Sequence, residues 1–205
     1  MNALIYGRRR QGKSTLSLAL ALSTDKQVAI FDPNAQFHVG AIVTTADELN
    51  RSLDEGEHVV VFRPRPDEID ADFTIFGSTV WQWNPLAVII DETSSVQSAN
   101  RIHPELERLL RQAPDGVDLI QSTHRLVDTQ RLTRSLATDM FFFQSTLRAD
   151  LAVVEAEVSA KVAERIRSLP VYQCLHYWID VGGVSRYSIW SESEVWYVGI
   201  AGIAA

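Results

Sequence analysis

Cysteine is nearly missing. Cys174 is the one thiol in 205 residues, so an internal disulfide and a cysteine-held metal cluster are both excluded. It falls in the apolar run 171–178, where a small buried thiol is expected. Long hydrophobic runs are missing too. Nothing approaches the ~20 apolar residues of a transmembrane helix. The opening Met-Asn-Ala-Leu-Ile-Tyr-Gly lacks the charged region and apolar core of a signal peptide. There is no excess of positive charge, the formal net charge being −7. The surface as a whole will not attract a polyanion, so any nucleic-acid contact must come from local basic features. Those are Arg8, Arg9 and Arg10; Arg101, Arg108 and Arg111; and Arg125, Arg131 and Arg134, each of which also reads as a solvated or ion-paired face. Repeats and low-complexity blocks are absent. The pattern suits a reducing cytoplasm. With 46% hydrophobic and 22% charged residues, it fits one globular domain over 1–205, with a core over about 1–145 and a C-terminal extension over 146–205.

What is present begins at residue 7. Gly-Arg-Arg-Arg-Gln-Gly-Lys-Ser fits the phosphate-loop pattern G-x-x-x-x-G-K-[ST] without a gap. Residues 3–6 suit a buried strand and 14–23 a helix rich in Leu and Ala, so the loop has the strand–loop–helix context that the chemistry needs. Gly7 and Gly12 let the backbone turn tightly and bring amide N–H groups toward a triphosphate. The helix that follows aims its positive end at the same phosphates. Lys13 is placed to reach the β- and γ-phosphates of ATP, Ser14 to offer its hydroxyl to Mg²⁺, and Thr15 to support the α-phosphate side. Arg8, Arg9, Arg10 and Gln11 complete the nucleotide-binding loop. Its three arginines exceed what cradling phosphates requires.

A second acidic feature follows. Leu86-Ala87-Val88-Ile89-Ile90 is an apolar strand ending in Asp91-Glu92, and in an open α/β sheet ligands sit at that carboxyl edge. Asp91 fits the acid that positions Mg²⁺. Glu92 fits the base that orients a water for attack on the γ-phosphate, which hydrolysis requires and mere binding does not. Residues 117–125 form another strand ending in Ser122-Thr123-His124-Arg125. If it lies between the loop strand and the acidic strand, Ser122, Thr123 and His124 sit beside the γ-phosphate, where a polar side chain can sense it. Arg108 and Arg111 share one helix face, and an arginine inserted into a neighbour's site would stabilise the transferred phosphoryl group.

Elsewhere, strands are expected at 27–31, 58–62 and 140–143. Helices are expected at 45–53, capped by Thr44 or Thr45, at 104–112 with Pro104 in its first turn, and over most of 151–169. Asp128 or Thr129 caps a short helix through 137. Residues 73–83 fit helix or strand, and the spacing of Phe73, Phe76, Val80 and Trp83 favours helix. Residues 171–180 and 187–190 read as a hairpin around Gly182-Gly183. The apolar tail 195–205 packs on the domain or on a neighbouring subunit. Alternation of strands and helices predicts an α/β fold with a parallel sheet covered on both faces.

Four segments together resemble the FtsK/HerA superfamily of P-loop ATPases: the phosphate loop with its following Thr15; Phe-Asp-Pro-Asn-Ala-Gln-Phe; Val-Ile-Ile-Asp-Glu; and Gly-Val-Asp-Leu-Ile-Gln-Ser-Thr-His-Arg. The last is the discriminating one, and the likeness in layout runs over roughly 1–180. The short length and lack of accessory domains are similar to the genome-packaging ATPases of membrane-containing icosahedral viruses. That resemblance implies a three-layer sandwich of the additional-strand, catalytic-glutamate type, with the sensor strand between the loop strand and the acidic strand. It also implies a homo-oligomeric ring, hexameric or pentameric, that hydrolyses ATP with Mg²⁺. The ring would drive double-stranded DNA into a preformed capsid, beside vertex or portal proteins in the host cytoplasm, without inserting in a membrane. Two departures stand out: His124 replaces the family's common Gln, and Ala113-Pro114-Asp115 separates Arg111 from Gly116, leaving Arg111 ahead of Arg108 as the trans arginine. A Zot-like role in phage morphogenesis is the alternative. A nucleotide kinase or small GTPase is a third reading; the guanine-reading Asn-Lys-x-Asp pattern is absent, while Arg125, Arg131 and Arg134 could imitate a kinase lid.

Overall fold

Apolar runs and helical runs alternate along the chain, and the elements follow them. The computed structural model describes residues 1–179 and 185–191. The chain runs β1 (Asn2–Tyr6), α1 (Lys13–Leu22), β2 (Gln27–Phe31), β3 (Ala41–Val43), α2 (Ala46–Asp54), β4 (Val59–Phe62), α3 (Ile69–Val80), β5 (Leu86–Ile90), β6 (Gln97–Ser98) and β7 (Arg101–Ile102). It continues with α4 (Pro104–Gln112), β8 (Val117–Thr123), α5 (Arg131–Leu136), β9 (Asp139–Phe143), α6 (Arg148–Glu157), α7 (Ala160–Arg167), β10 (Gln173–Ile179) and β11 (Ser185–Ser191).

Nine strands form one sheet in the order β11-β10-β9-β1-β8-β5-β2-β4-β3. From β9 to β3 all pairings are parallel, while β10 and β11 add antiparallel at the other edge. The expected hairpin strands are therefore found, although the turn around Gly182-Gly183 and the tail 195–205 lie outside the described residues. Strand β8 sits between β1 and β5, as the resemblance implied. Central strands carry apolar residues on both faces; all five of β5 are buried.

The layers are uneven. One face, with Ala3, Ile5, Val28, Ile30, Ala87, Ile89 and Ile120, packs against α1 alone among the helices, through Leu16, Ala19 and Leu20. The other carries α2, α3 and α4 over Phe31, Phe62, Val88 and Ile90, and α6 and α7 over Leu4, Tyr6, Met140 and Phe142.

Several boundaries differ from the sequence expectation for local reasons. Thr45 caps α2 in a reciprocal box with Glu48. Helix α3 starts at Ile69 and ends before Trp83, because Asp70 and Asp72 favour its first turn and Asp72 accepts the Arg65 backbone N–H at 2.6 Å. Helix α5 is capped by Gln130, whose Oε1 accepts the Leu132 N–H at 2.6 Å, and not by Asp128 or Thr129. The Thr129 hydroxyl instead donates to the Arg125 carbonyl at 3.0 Å. The 151–169 run breaks at Ser159, whose Oγ accepts the Val162 N–H and opens α7.

Candidate active site

The carboxyl ends of β1, β2, β5 and β8 converge on one cleft of about 920 Å³. Strand β1 delivers the phosphate loop, and the closeness of its path explains the glycines. A Cβ on Gly7 would stand 2.6 Å from the Cβ of Phe143, and Gly12 has φ 97°. The loop is braced from within. Gln11 Oε1 accepts the Arg8 N–H at 2.7 Å, and Gln11 Nε2 donates to the Gln144 carbonyl at 3.0 Å. Gln11 thus shapes the loop without lining the cleft. Lys13 Nζ donates to the Arg8 carbonyl at 3.1 Å. Burial pushes its ammonium down from 10.5 to about 8, against the attraction of Glu92 and Asp91. The first amides of α1 have no intrahelical partner and face the same space.

Strand β5 delivers the acids. Ser14 Oγ lies 3.5 Å from Asp91 Oδ1, which also accepts the Ser122 hydroxyl at 2.8 Å. Burial raises the Asp91 carboxyl above its ordinary value, and the negative charges of Asp32 and Glu92 add to that. Hydroxyl and carboxylate oxygens here suit a hard divalent cation that keeps waters and phosphate oxygens as its other ligands.

Glu92 has φ 53°, an uncommon conformation for a residue with a side chain. Its backbone N–H donates to Ser122 Oγ at 3.0 Å, and its Oε1 accepts the Ser94 hydroxyl at 2.5 Å. Its other oxygen touches His124 Nδ1. Burial alone would raise this carboxyl, but His124, Ser94 and the charge of Lys13 hold it below its ordinary value.

Of the residues singled out from sequence, Arg9, Arg10, Gly12, Lys13, Ser14, Thr15, Asp91, Glu92, His124 and Arg125 line the cleft, while Gly7 and Arg8 do not. Thr123 does not. Its hydroxyl folds the next loop, accepting the Arg125 N–H at 3.3 Å and donating to the Arg125 carbonyl at 3.2 Å. Arg108 and Arg111 are not brought to the cleft either. Arg108 lies over the Trp81 ring at 3.9 Å and pairs with Glu105, and Arg111 pairs with Glu107 at 2.8 Å.

Ser122, expected beside the γ-phosphate, instead ties the two acids together. Sequence reasoning missed other contributors. Asp32 is buried and accepts the Gln36 and Phe37 N–H groups, each at 2.9 Å, which turns Asn34 and Gln36 onto the cleft. Asp150, buried at the start of α6, accepts the Val127 N–H at 3.0 Å and Arg125 Nε at 3.2 Å. Arg134 donates to the Leu126 carbonyl at 3.1 Å and pairs with Glu157. Arg125 and Arg134 therefore brace the loop over the cleft. An acid near an Asx-type turn was the available signal for Asp32; for Asp150 there was none.

No protein-family model and no curated protein matches the chain. Solved structures do. The genome packaging NTPase B204 from Sulfolobus turreted icosahedral virus 2, in complex with ATP-gammaS, has a TM-score of 0.74 at 20% identity, covering 90% of this chain and 94% of its own. The DNA-packaging ATPase B204 from Sulfolobus turreted icosahedral virus has a TM-score of 0.74 at 22% identity, covering 91% and 98%. The pCW3 conjugation coupling protein TcpA, with ATPgS, has a TM-score of 0.55 at 14% identity, covering 91% of this chain and 59% of its own. At these identities the likeness is one of fold: a P-loop NTPase sandwich with a mostly parallel sheet.

Proposed function

We propose that the chain is an Mg²⁺-dependent ATPase that drives double-stranded DNA into a capsid as part of a ring of identical subunits. The observation that carries the ATPase reading is the placement of Asp91 and Glu92 opposite the phosphate loop, with Ser14 Oγ 3.5 Å from Asp91. Lys13 and the loop amides hold the β- and γ-phosphates. Ser14 and Asp91 hold Mg²⁺, which supplies neutralisation of phosphate charge. Glu92 orients a water and accepts its proton as the water oxygen bonds to the γ-phosphorus and the bond to the β-phosphate oxygen breaks, giving ADP and phosphate. His124, in contact with Glu92, senses the γ-phosphate, and Thr123 holds the loop that carries it.

The DNA-packaging part is supported by the fold shared with a genome packaging NTPase over 90% of this chain. A ring can gather weak basic patches from several acidic subunits into one positive channel. We place it in the host cytoplasm at the capsid vertex. The test is ATP turnover with Mg²⁺, with and without duplex DNA, together with protection of DNA ends in procapsids. Turnover stimulated by DNA and protected ends are expected. An ATPase that never engages DNA, even when assembled on a capsid, overturns the packaging role.

A further inference from the structure

The phosphate cradle fixes where the other end of a nucleotide must go. Asp91, Glu92 and His124 flank the loop on the side of β5 and β8, so the γ end of a triphosphate points there. The nucleoside end must leave past Gly12 and Thr15 on the opposite flank. On that flank lies a second groove of only about 20 Å³, too small to enclose a base. It shares Gly12 and Thr15 with the cleft and is walled by Phe143, Tyr172 and Trp190.

These walls are flat and apolar. Phe143 and Tyr172 ring atoms stand 3.7 Å and 4.0 Å from the place a Cβ on Gly12 would occupy, one contact layer above the loop. Tyr172 has φ 64°, a conformation rare for a tyrosine, and is 47% exposed in the turn before β10. A strained backbone that displays an aromatic ring beside a phosphate cradle calls for an occupant with a flat face. Two of the polar side chains beside it are already bonded. Both ends of the Gln11 amide are bonded, and Trp190 Nε1 donates to Ser188 Oγ at 2.9 Å.

We propose that the exposed ring of Tyr172, at the rim of this groove, stacks on the base of the bound nucleoside triphosphate, which lies over the groove and not within it. The inference rests on the nucleotide-binding reading above.

The experiment compares Mg·ATP and inorganic tripolyphosphate on the full chain, as wild type, Tyr172→Ala and Tyr172→Phe. Loss of one stacking ring weakens ATP by roughly tenfold. Tripolyphosphate, which has no base, binds Tyr172→Ala as it binds wild type, which also reports that the variant is folded. Tyr172→Phe keeps ATP affinity within about twofold. Parallel weakening of both ligands by Tyr172→Ala, or unchanged ATP affinity, overturns the base site while leaving the phosphate cradle standing. A wild type that binds neither ligand overturns the nucleotide reading and the base site with it.

Discussion

Lys13→Met removes the charge at the centre of the phosphate loop while keeping a similar length and helix propensity. The folded protein without nucleotide holds that ammonium in a buried place, 6% exposed, and its pKa falls from 10.5 to about 8. At about 1.4 kcal/mol per pH unit, keeping it charged at pH 7 costs on the order of 3 kcal/mol. The variant loses the 3.1 Å hydrogen bond from its charged donor to the Arg8 carbonyl, worth about 2 kcal/mol. The net expectation is a variant about 1 kcal/mol more stable than wild type, or a Tm higher by roughly 2–4 °C for a chain of this size.

The pH dependence follows the same sign. Between pH 8 and 10.5 the unfolded chain keeps a proton that the folded one has released, so wild-type stability rises with pH across that window. The advantage of Lys13→Met is complete below pH 8 and fades toward 10.5. Urea unfolding at pH 7 and pH 10 measures both. Saturating ATP reverses the order at pH 7, because at a hundred times its Kd it adds about 2.7 kcal/mol to a protein that binds it. A variant less stable than wild type without nucleotide, or an advantage that grows with pH, refutes the electrostatic account of Lys13.

Glu92→Gln is expected to bind Mg·ATP normally and to lose about 100-fold or more in turnover, read by phosphate release; normal hydrolysis removes Glu92 from the chemistry. Ser122→Ala strips the hydroxyl that contacts both Asp91 and the Glu92 N–H, so kcat falls and the Mg²⁺ requirement rises while ATP affinity changes little, as a magnesium titration of turnover would show. Asp150→Ala leaves the Val127 N–H unpartnered and frees Arg125; about 2 kcal/mol of stability is lost, the partner arginine being half-exposed, and turnover drops with it. Arg111→Ala is inactive as a pure assembly but regains turnover when mixed with Lys13→Met subunits, which supply the arginine and no working site of their own; absence of recovery in the mixture counts against a trans role.

The parts of the fold that were legible in sequence are those where one local rule decides. Uninterrupted apolar runs gave β2 and β5 their limits, and Pro104 opened α4 where it was expected. Elements of two or three residues, β3 and the β6–β7 ribbon, carry no period and could not be read. The cap of α5 went to Gln130 because Thr129 had a nearer partner, a tertiary choice invisible along the chain. The site divides in the same way. The residues that would meet phosphate, metal and water sit in contiguous motifs. Those that hold them in place, Ser122 and Asp150, act across 31 and 23–25 positions of sequence.

The arginines are where sequence and structure pull apart, and the packing orders them. Helix α4 runs back from the site edge, since it precedes β8, whose carboxyl end returns there; its last turn therefore lies toward the far edge of the sheet. From there neither Arg108 nor Arg111 can serve its own cleft. Arg108 is held twice, over Trp81 and by Glu105, and withdrawing it would cost both contacts. Arg111 has only an exposed pair with Glu107 one turn away, worth at most about 1 kcal/mol. In the proposed ring, a neighbour's triphosphate would offer far more charge than that carboxylate, so of the two Arg111 would be the one to reach across. Arg9 and Arg10 already line the cleft from within the loop. On the proposed function, positive charge at the phosphates would therefore come in cis, and what a neighbour would add is timing: an arginine that arrived only when the ring closed would tie hydrolysis in one subunit to the position of the next.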